Sequence, residues 1–186
     1  GNVAGSVEVS GVLGFATGGV SLTVNGNMTI RSGGVFNPFF SSAGKVVTVN
    51  GSFINDGTTD LSKNSCVLTM GQGSGATTIG GSGAYTTGIV RTLVIDNANG
   101  VTLSAPLSVS FTLNLRNGTF TNGSNLTMND KSFGNGSTPP NCLIQRSQSA
   151  QLAGPYTRGP TAALYISYVQ NTAGADPDAA ITEGQE

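Results

Sequence analysis

The chain has 186 residues, a net charge of -1 and only 9% charged residues, with 28 Gly and no His or Trp. Without histidine no Ser-His-Asp or Cys-His pairing and no His-bearing metal site can be built, and the scattered Lys and Arg form no patch for nucleic acid or an anionic membrane surface. No apolar run is long enough to cross a bilayer, and the low charge with many β-branched residues argues for ordered all-β structure over disorder.

In chain order, Gly1 to Gly19 carries one strand-like run, Val7-Glu-Val9, then Val12-Leu13 and a glycine-rich turn. Glu8, between two inward valines, should face water. Ser21 to Phe36 is the clearest unit. Leu22 and Val24 alternate with polar neighbours, Asn25-Gly26 interrupts, Met28 and Ile30 alternate again, and Ser32-Gly33-Gly34 interrupts a second time. Strands this short cannot bury an apolar face alone, so the unit requires similar units stacked against it. Phe36, Phe39 and Phe40 surround Pro38 and read as a loop over the side of the stack, packing as a satellite apolar cluster or offering an aromatic platform.

The opening recurs at Val47-Thr-Val49, Leu68-Thr-Met70, Leu93-Val-Ile95 and Leu113-Asn-Leu115, in steps of 25, 21, 25 and 20 residues. A period in that range is the mark of a solenoid. In the second repeat Asn55 falls where the first has an apolar residue, so a buried amide bonding to the rungs above and below is expected. Asp56 and Asp60 read as a solvated corner, being too few for a calcium cage. The Gly71-Gln-Gly73-Ser-Gly75 string has neither a following helical pattern nor a closing Lys-Ser/Thr pair, so corner glycines explain it better than a phosphate loop.

From Leu93 to Phe120 apolar residues keep a period of two, punctuated by Asn97 to Gly100, Pro106 and Asn117-Gly118. Asn-Gly is also a hairpin signal, so an antiparallel β-sandwich competes with the solenoid; the restarting pattern favours the solenoid. The run Leu93 to Ser104, continued by Pro106 to Val109, Leu113 to Phe120 and Leu126-Thr-Met128, resembles the repeat units of very long surface proteins of Bacteroidota, and Val49 to Thr58 is similar to the segment that precedes that unit. The resemblance spans roughly Leu22 to Met128, with a fainter echo in Ile144 to Arg146 and Leu164 to Tyr168. It implies export by the type IX secretion system, an extracellular, cell-surface location and an adhesin-like role. No catalytic residue comes with it, and the sorting domain that marks this export route is not in the sequence.

Beyond Met128 the texture changes. Lys131 to Asn141 is a polar loop, Cys142 to Arg146 a strand, and Ala163 to Val169 a last strand carrying Tyr165 and Tyr168. The expected organisation is solenoid repeats over 1–130, strands that cap or continue them over 131–171, and a linker to a following domain over 172–186. Asp176 and Asp178 belong to that linker, two carboxylates alone being a poor calcium cage. Neither end looks like a natural terminus, so a fragment of a longer chain is expected. Cys66 and Cys142 lie 76 residues apart, three to four rungs, on the order of 15 to 19 Å along one face. Two free, buried thiols are therefore expected. The Asn-x-Ser/Thr sequons at Asn27, Asn50, Asn117, Asn122, Asn125 and Asn135 follow from composition.

The sequence thus points to a parallel β-solenoid (β-helix) acting as a non-catalytic stalk or adhesive segment. No catalytic, cofactor-binding or metal-binding residues are expected. Its expected contacts are glycans or abiotic surfaces and neighbouring domains of the same chain, with no nucleic acid and no membrane insertion. Two alternatives stay open. A β-helical polysaccharide lyase or hydrolase would need converging carboxylates or Arg. An ice- or glycan-binding module would need regular threonine ranks, for which Thr23, Thr48, Thr69 and Thr102 are the candidates.

Overall fold

The computed structural model describes residues 1–15, 21–38, 45–62, 66–128, 141–158 and 163–168, with the backbone alone at 87, 89, 141, 142 and 163–168. The fold is a parallel β-solenoid whose described residues include no helix. Rung 1 comprises β1 (Asn2–Val3), β2 (Val7–Val9) and β3 (Val12–Gly14); rung 2, β4 (Leu22–Val24), β5 (Met28–Ile30) and β6 (Val35–Asn37). Rung 3 comprises β7 (Lys45–Val49), β8 (Phe53–Asn55) and β9 (Thr58–Leu61), and rung 4 β10 (Cys66–Met70), β11 (Thr77–Gly80) and the first part of β12 (Ala84–Asp96). Rung 5 takes the rest of β12, β13 (Val101–Leu103) and the start of β14 (Leu107–Thr121). Rung 6 takes the remainder of β14 with β15 (Leu126–Met128). Rung 7 is β16 (Asn141–Arg146), β17 (Ala150–Ala153) and β18 (Tyr156–Arg158), and β19 (Ala163–Tyr168) pairs on β16.

Period-two alternation over three to five residues sends every second side chain inward, and the rungs stack these into columns. On the first face Leu22, Val47, Leu68, Leu93, Leu113 and Ile144 pair in unbroken register. On the second, Val7, Met28, Phe53, Ile79 and Leu103 form one column, and Thr77, Val101, Phe120 and Leu152 another. The third face aligns Leu13, Phe36, Thr59 and Tyr85, and also Leu61, Val90, Val109 and Met128. Val47, Leu68, Leu93 and Leu113 are each 0% exposed; a fully buried aliphatic side chain of this kind stabilises by about 1.5–3 kcal/mol. Strand pairings among the described residues are parallel, as between β7 and β10 or β5 and β8, so the antiparallel sandwich is ruled out.

The corners are built from small polar side chains that replace ladder bonds. Between the first and second faces the Asn27 N–H donates to Ser6 Oγ (3.0 Å), the Ser52 N–H to Asn27 Oδ1 (2.8 Å) and the Thr78 N–H to Ser52 Oγ (3.0 Å). Beside them Asn50 Nδ2 donates to Asn25 Oδ1 (3.0 Å) and Asn25 Nδ2 to Asn2 Oδ1 (3.2 Å), an amide ladder of the kind that stacked identical rungs allow. Between the second and third faces Gly34, Gly57 and Gly83 let successive backbones touch: a Cβ on Gly57 would collide with the carbonyl oxygen of Gly34, and one on Gly83 with that of Gly57. The Thr58 N–H reaches Gly34 O (2.9 Å) and the Ala84 N–H reaches Gly57 O (2.8 Å) through that close approach.

Several expectations are corrected in detail. The first segment is a complete three-stranded rung, because Asn2–Val3 and Val12–Gly14 find in-register partners in β4 and β6. Phe36 is not in a loop: it lies in β6 with its ring 0% exposed, while Phe39 and Phe40 fall outside the described residues. The strands from Asn141 on extend the ladder, β16 on β14 and β18 on β15, which is one of the two arrangements expected for them. The 172–186 segment, with Asp176 and Asp178, lies outside the described residues.

Candidate functional site

The outward half of each alternation decides what the solenoid presents. On the first face Thr23, Thr48 and Thr69 stack in register, and the rank continues through Val94, Asn114 and Gln145. Beside it runs a second rank, Val46, Val67, Thr92, Thr112 and Leu143. Neither rank carries a charge. Val46 is 37% exposed and Val94 3% exposed, and the other residues of the two ranks are half-buried along the whole face. Thr102, grouped by sequence with Thr23, Thr48 and Thr69, stands instead on the second face in a rank with Thr78 and Thr121. Glu8 faces solvent and forms a two-pronged ion pair with Arg31 one rung on, Nε to Oε1 2.6 Å and Nη2 to Oε2 3.0 Å. The guanidinium hydrogen bond holds the Glu8 carboxyl below its ordinary pKa and in turn raises that of Arg31.

Asn55 is 1% exposed, and both polar atoms of its side-chain amide are hydrogen-bonded. Its Nδ2 donates to Ala84 O (3.1 Å) in rung 4, and its Oδ1 accepts from Thr59 Oγ1 (3.0 Å) across the corner of its own rung. The rung below offers only Ile30 in that column, so the second bond turns sideways rather than down. Asp56 and Asp60 do not form one corner. Asp56 occupies the corner and accepts from the Ser82 N–H (2.9 Å) and Oγ (3.1 Å) of the next rung. Asp60 is in β9, 6% exposed, and its Oδ1 accepts from Ser62 Oγ (2.7 Å) and the Ser62 N–H (3.2 Å). The expectation of a solvated Asp60 fails because Thr58–Leu61 pairs on both sides and carries it into the sheet.

The glycines after Met70 form a corner. Gly73 O accepts from Asn99 Nδ2 (3.1 Å), and Gly75 O from Asn97 Nδ2 (3.1 Å), so amides of the next rung satisfy the carbonyl oxygens of this corner.

Sequence reasoning missed a polar seam between the first and third faces. Lys45 follows Val47 and Val49 inward, is 0% exposed, and its Nζ has no hydrogen-bond partner among the described residues. Its in-register neighbour is Cys66. The Arg91 guanidinium lies over the Phe111 ring, 4.6 Å from its centroid, with Phe111 47% exposed. The signal was present in the spacing: Lys45 stands two residues before Val47, in the inward phase of the strand. Cys66 is a free, buried thiol whose pKa burial pushes up to about 12, aided by the Asp60 carboxylate and opposed by Arg91. Cys142 sits two residues before Ile144 as Cys66 does before Leu68, three ladder steps away. That is about 14 Å, too far for a disulfide. The Cys142 side chain lies outside the described residues. Among the described residues no three His, Cys, Asp or Glu side chains gather.

Comparison of the chain with protein-family models, with curated proteins and with solved structures returns no match.

Proposed function

We propose that this chain is a non-catalytic stalk and adhesive segment of a long secreted, cell-surface protein, which touches glycans or abiotic surfaces through many weak contacts. The observation that supports this reading is the pair of uncharged, in-register ranks led by Thr23, Thr48 and Thr69 and by Val46 and Val67. A rigid ladder repeats the same hydroxyl and methyl groups at strand spacing, about 4.8 Å, so contacts that are individually weak add along the axis. The location on a cell surface rests on the sequence resemblance. The test is adhesion of beads carrying the protein to arrayed glycans and to hydrophilic and hydrophobic solids. Binding that falls when Thr48 and Thr69 are both replaced by Lys, with an unchanged circular dichroism spectrum, supports the reading; absence of binding to every surface overturns it.

The register of Thr23, Thr48 and Thr69 favours a second reading, a face that orders water as ice does. Thermal hysteresis lost in Thr48→Lys would establish it, and its absence from the unaltered protein would dismiss it.

A further inference from the structure

The solenoid wall opens between rungs 4 and 5. Five residues, 80–84, separate the inward Ile79 from Tyr85 in rung 4, but only three, 104–106, separate Leu103 from Leu107 in rung 5. The shorter corner leaves a cleft of about 260 Å³ between them, lined by the Gly80–Gly83 ledge and by Tyr85, Leu103, Pro106 and Leu107 among others. The ledge lacks bulk where earlier rungs carry it: the column Val9, Ile30, Asn55 leads to Gly81, whose φ of +106° suits glycine and where a Cβ would collide with the Asn55 backbone.

The chemistry of this cleft is specific. The ledge is held from below, the Gly83 N–H on Asn55 O (2.7 Å), the Ala84 N–H on Gly57 O (2.8 Å) and the Ser82 N–H on Asp56 Oδ1 (2.9 Å). The carbonyl oxygens of Gly81, Ser82 and Gly83 receive no backbone N–H from the next rung among the described residues: the Ser104 N–H goes to Ile79 O (2.9 Å), the Leu107 N–H goes to Asn125 O (2.9 Å), and Pro106 has none. The ledge on one side of the cleft therefore keeps backbone acceptors that the ladder does not use. Opposite stands apolar Pro106, with Leu103 and Leu107, 2% and 3% exposed, behind it and Tyr85 also in the lining, and none of the lining residues is charged. A ligand that suits both sides has hydroxyl donors around its rim and a C–H face for the aliphatic and aromatic wall. The volume lies just below the usual range for small-molecule pockets, about 300–1,000 Å³, which limits the occupant to one ring.

We propose that this cleft is a binding site for a single neutral pyranose ring at the end of a glycan chain. The inference rests on the reading that the segment touches glycans, and gives that reading a discrete subsite in addition to the outward ranks.

The test uses the full chain labelled with ¹⁵N and titrated with the methyl pyranosides of glucose, galactose and mannose, with cyclohexanol as an apolar ring that lacks the hydroxyl rim. The proposal predicts that at least one sugar shifts the amides of residues 79–85 and 103–107 and gives saturation transfer to its ring protons. Ala105→Trp, which fills the cleft at a corner, should abolish those shifts. Tyr85→Phe should weaken binding by about three- to ten-fold, the worth of one hydrogen bond. Unchanged amide spectra away from the cleft verify that each variant folds. The proposal is overturned if no sugar shifts these amides up to its solubility limit, or if cyclohexanol shifts them equally. The two readings fail separately. Adhesion that depends on Thr48 and Thr69 without shifts at the cleft removes only the subsite, and shifts at the cleft without adhesion to any array remove only the adhesive ranks.

Discussion

Asn55 donates its side-chain amide to the carbonyl oxygen of Ala84, 3.1 Å away and one rung higher, while its own carbonyl oxygen takes the Thr59 hydroxyl at 3.0 Å. A buried amide thus ties the second face of rung 3 to the third face of rungs 3 and 4. Asn55→Leu removes both bonds and leaves the Thr59 hydroxyl, itself 0% exposed, without its acceptor. The expected loss is about 1–3 kcal/mol in urea unfolding at an unchanged m-value. The double change with Thr59→Val should recover part of it, since no orphaned hydroxyl then remains.

Lys45 poses the opposite case. Its amine is buried with no hydrogen-bond partner among the described residues, an arrangement that costs free energy. Lys45→Met keeps the length of the side chain and removes the amine. It should raise stability by about 1–3 kcal/mol, read as a higher urea midpoint. A lower midpoint would mean that the ammonium is stabilised where it sits.

Glycine at the second corner is a packing requirement. Gly57→Ala drives a Cβ into the Gly34 carbonyl, so a loss of at least about 2 kcal/mol and a lower melting temperature are expected. Gly11→Ala, at a glycine with no atom within 4 Å of the added Cβ, should change stability by less than about 0.5 kcal/mol. Equal effects at the two positions would contradict the close stacking of the rungs.

Cys66 gives the protein an alkaline limit. Burial raises its pKa from 9.0 to about 12 in the folded chain. A raised pKa means that the folded state holds the proton longer, so the contribution to stability is complete below about pH 9 and is lost as the pH rises towards 12. Integrated over that window the loss is up to about 4 kcal/mol. Cys66→Val should flatten this part of the stability–pH curve. In the unaltered protein iodoacetamide should modify Cys66 only after denaturation at pH 8.

The alternation at Leu22, Val47, Leu68 and Leu93 made the parallel stack legible, because side-chain period and repeat period together fix which residues share a column. The cost of that reading was blindness to whatever broke the pattern. Val12-Leu13, next to a glycine-rich turn, carries no strand signal of its own, yet pairing with β6 makes it a strand. Asp60 looked like a corner residue since Asp-Gly-Thr-Thr-Asp reads as a turn, but only Asp56-Gly57 turns. The cleft at Gly80–Gly83 was invisible because Gly, Ser and Asn form corners of three residues or five equally well. Its existence depends on the difference between adjacent rungs, which no single rung reveals.

The central claim is that outward residues such as Thr48 and Thr69 are in-register neighbours on adjacent rungs, and paired cysteines test it most directly. With Cys142→Ser as background, Thr48→Cys with Thr69→Cys places two outward thiols on Cα atoms about 4.8 Å apart, within disulfide range, while Thr23→Cys with Thr69→Cys places them two rungs, about 9.6 Å, apart. Under mild oxidation the first pair should close into an intrachain disulfide and the second should not. Failure of the first pair in a folded protein, or equal closure of both, would contradict the in-register ladder and with it the adhesive face built on that ladder.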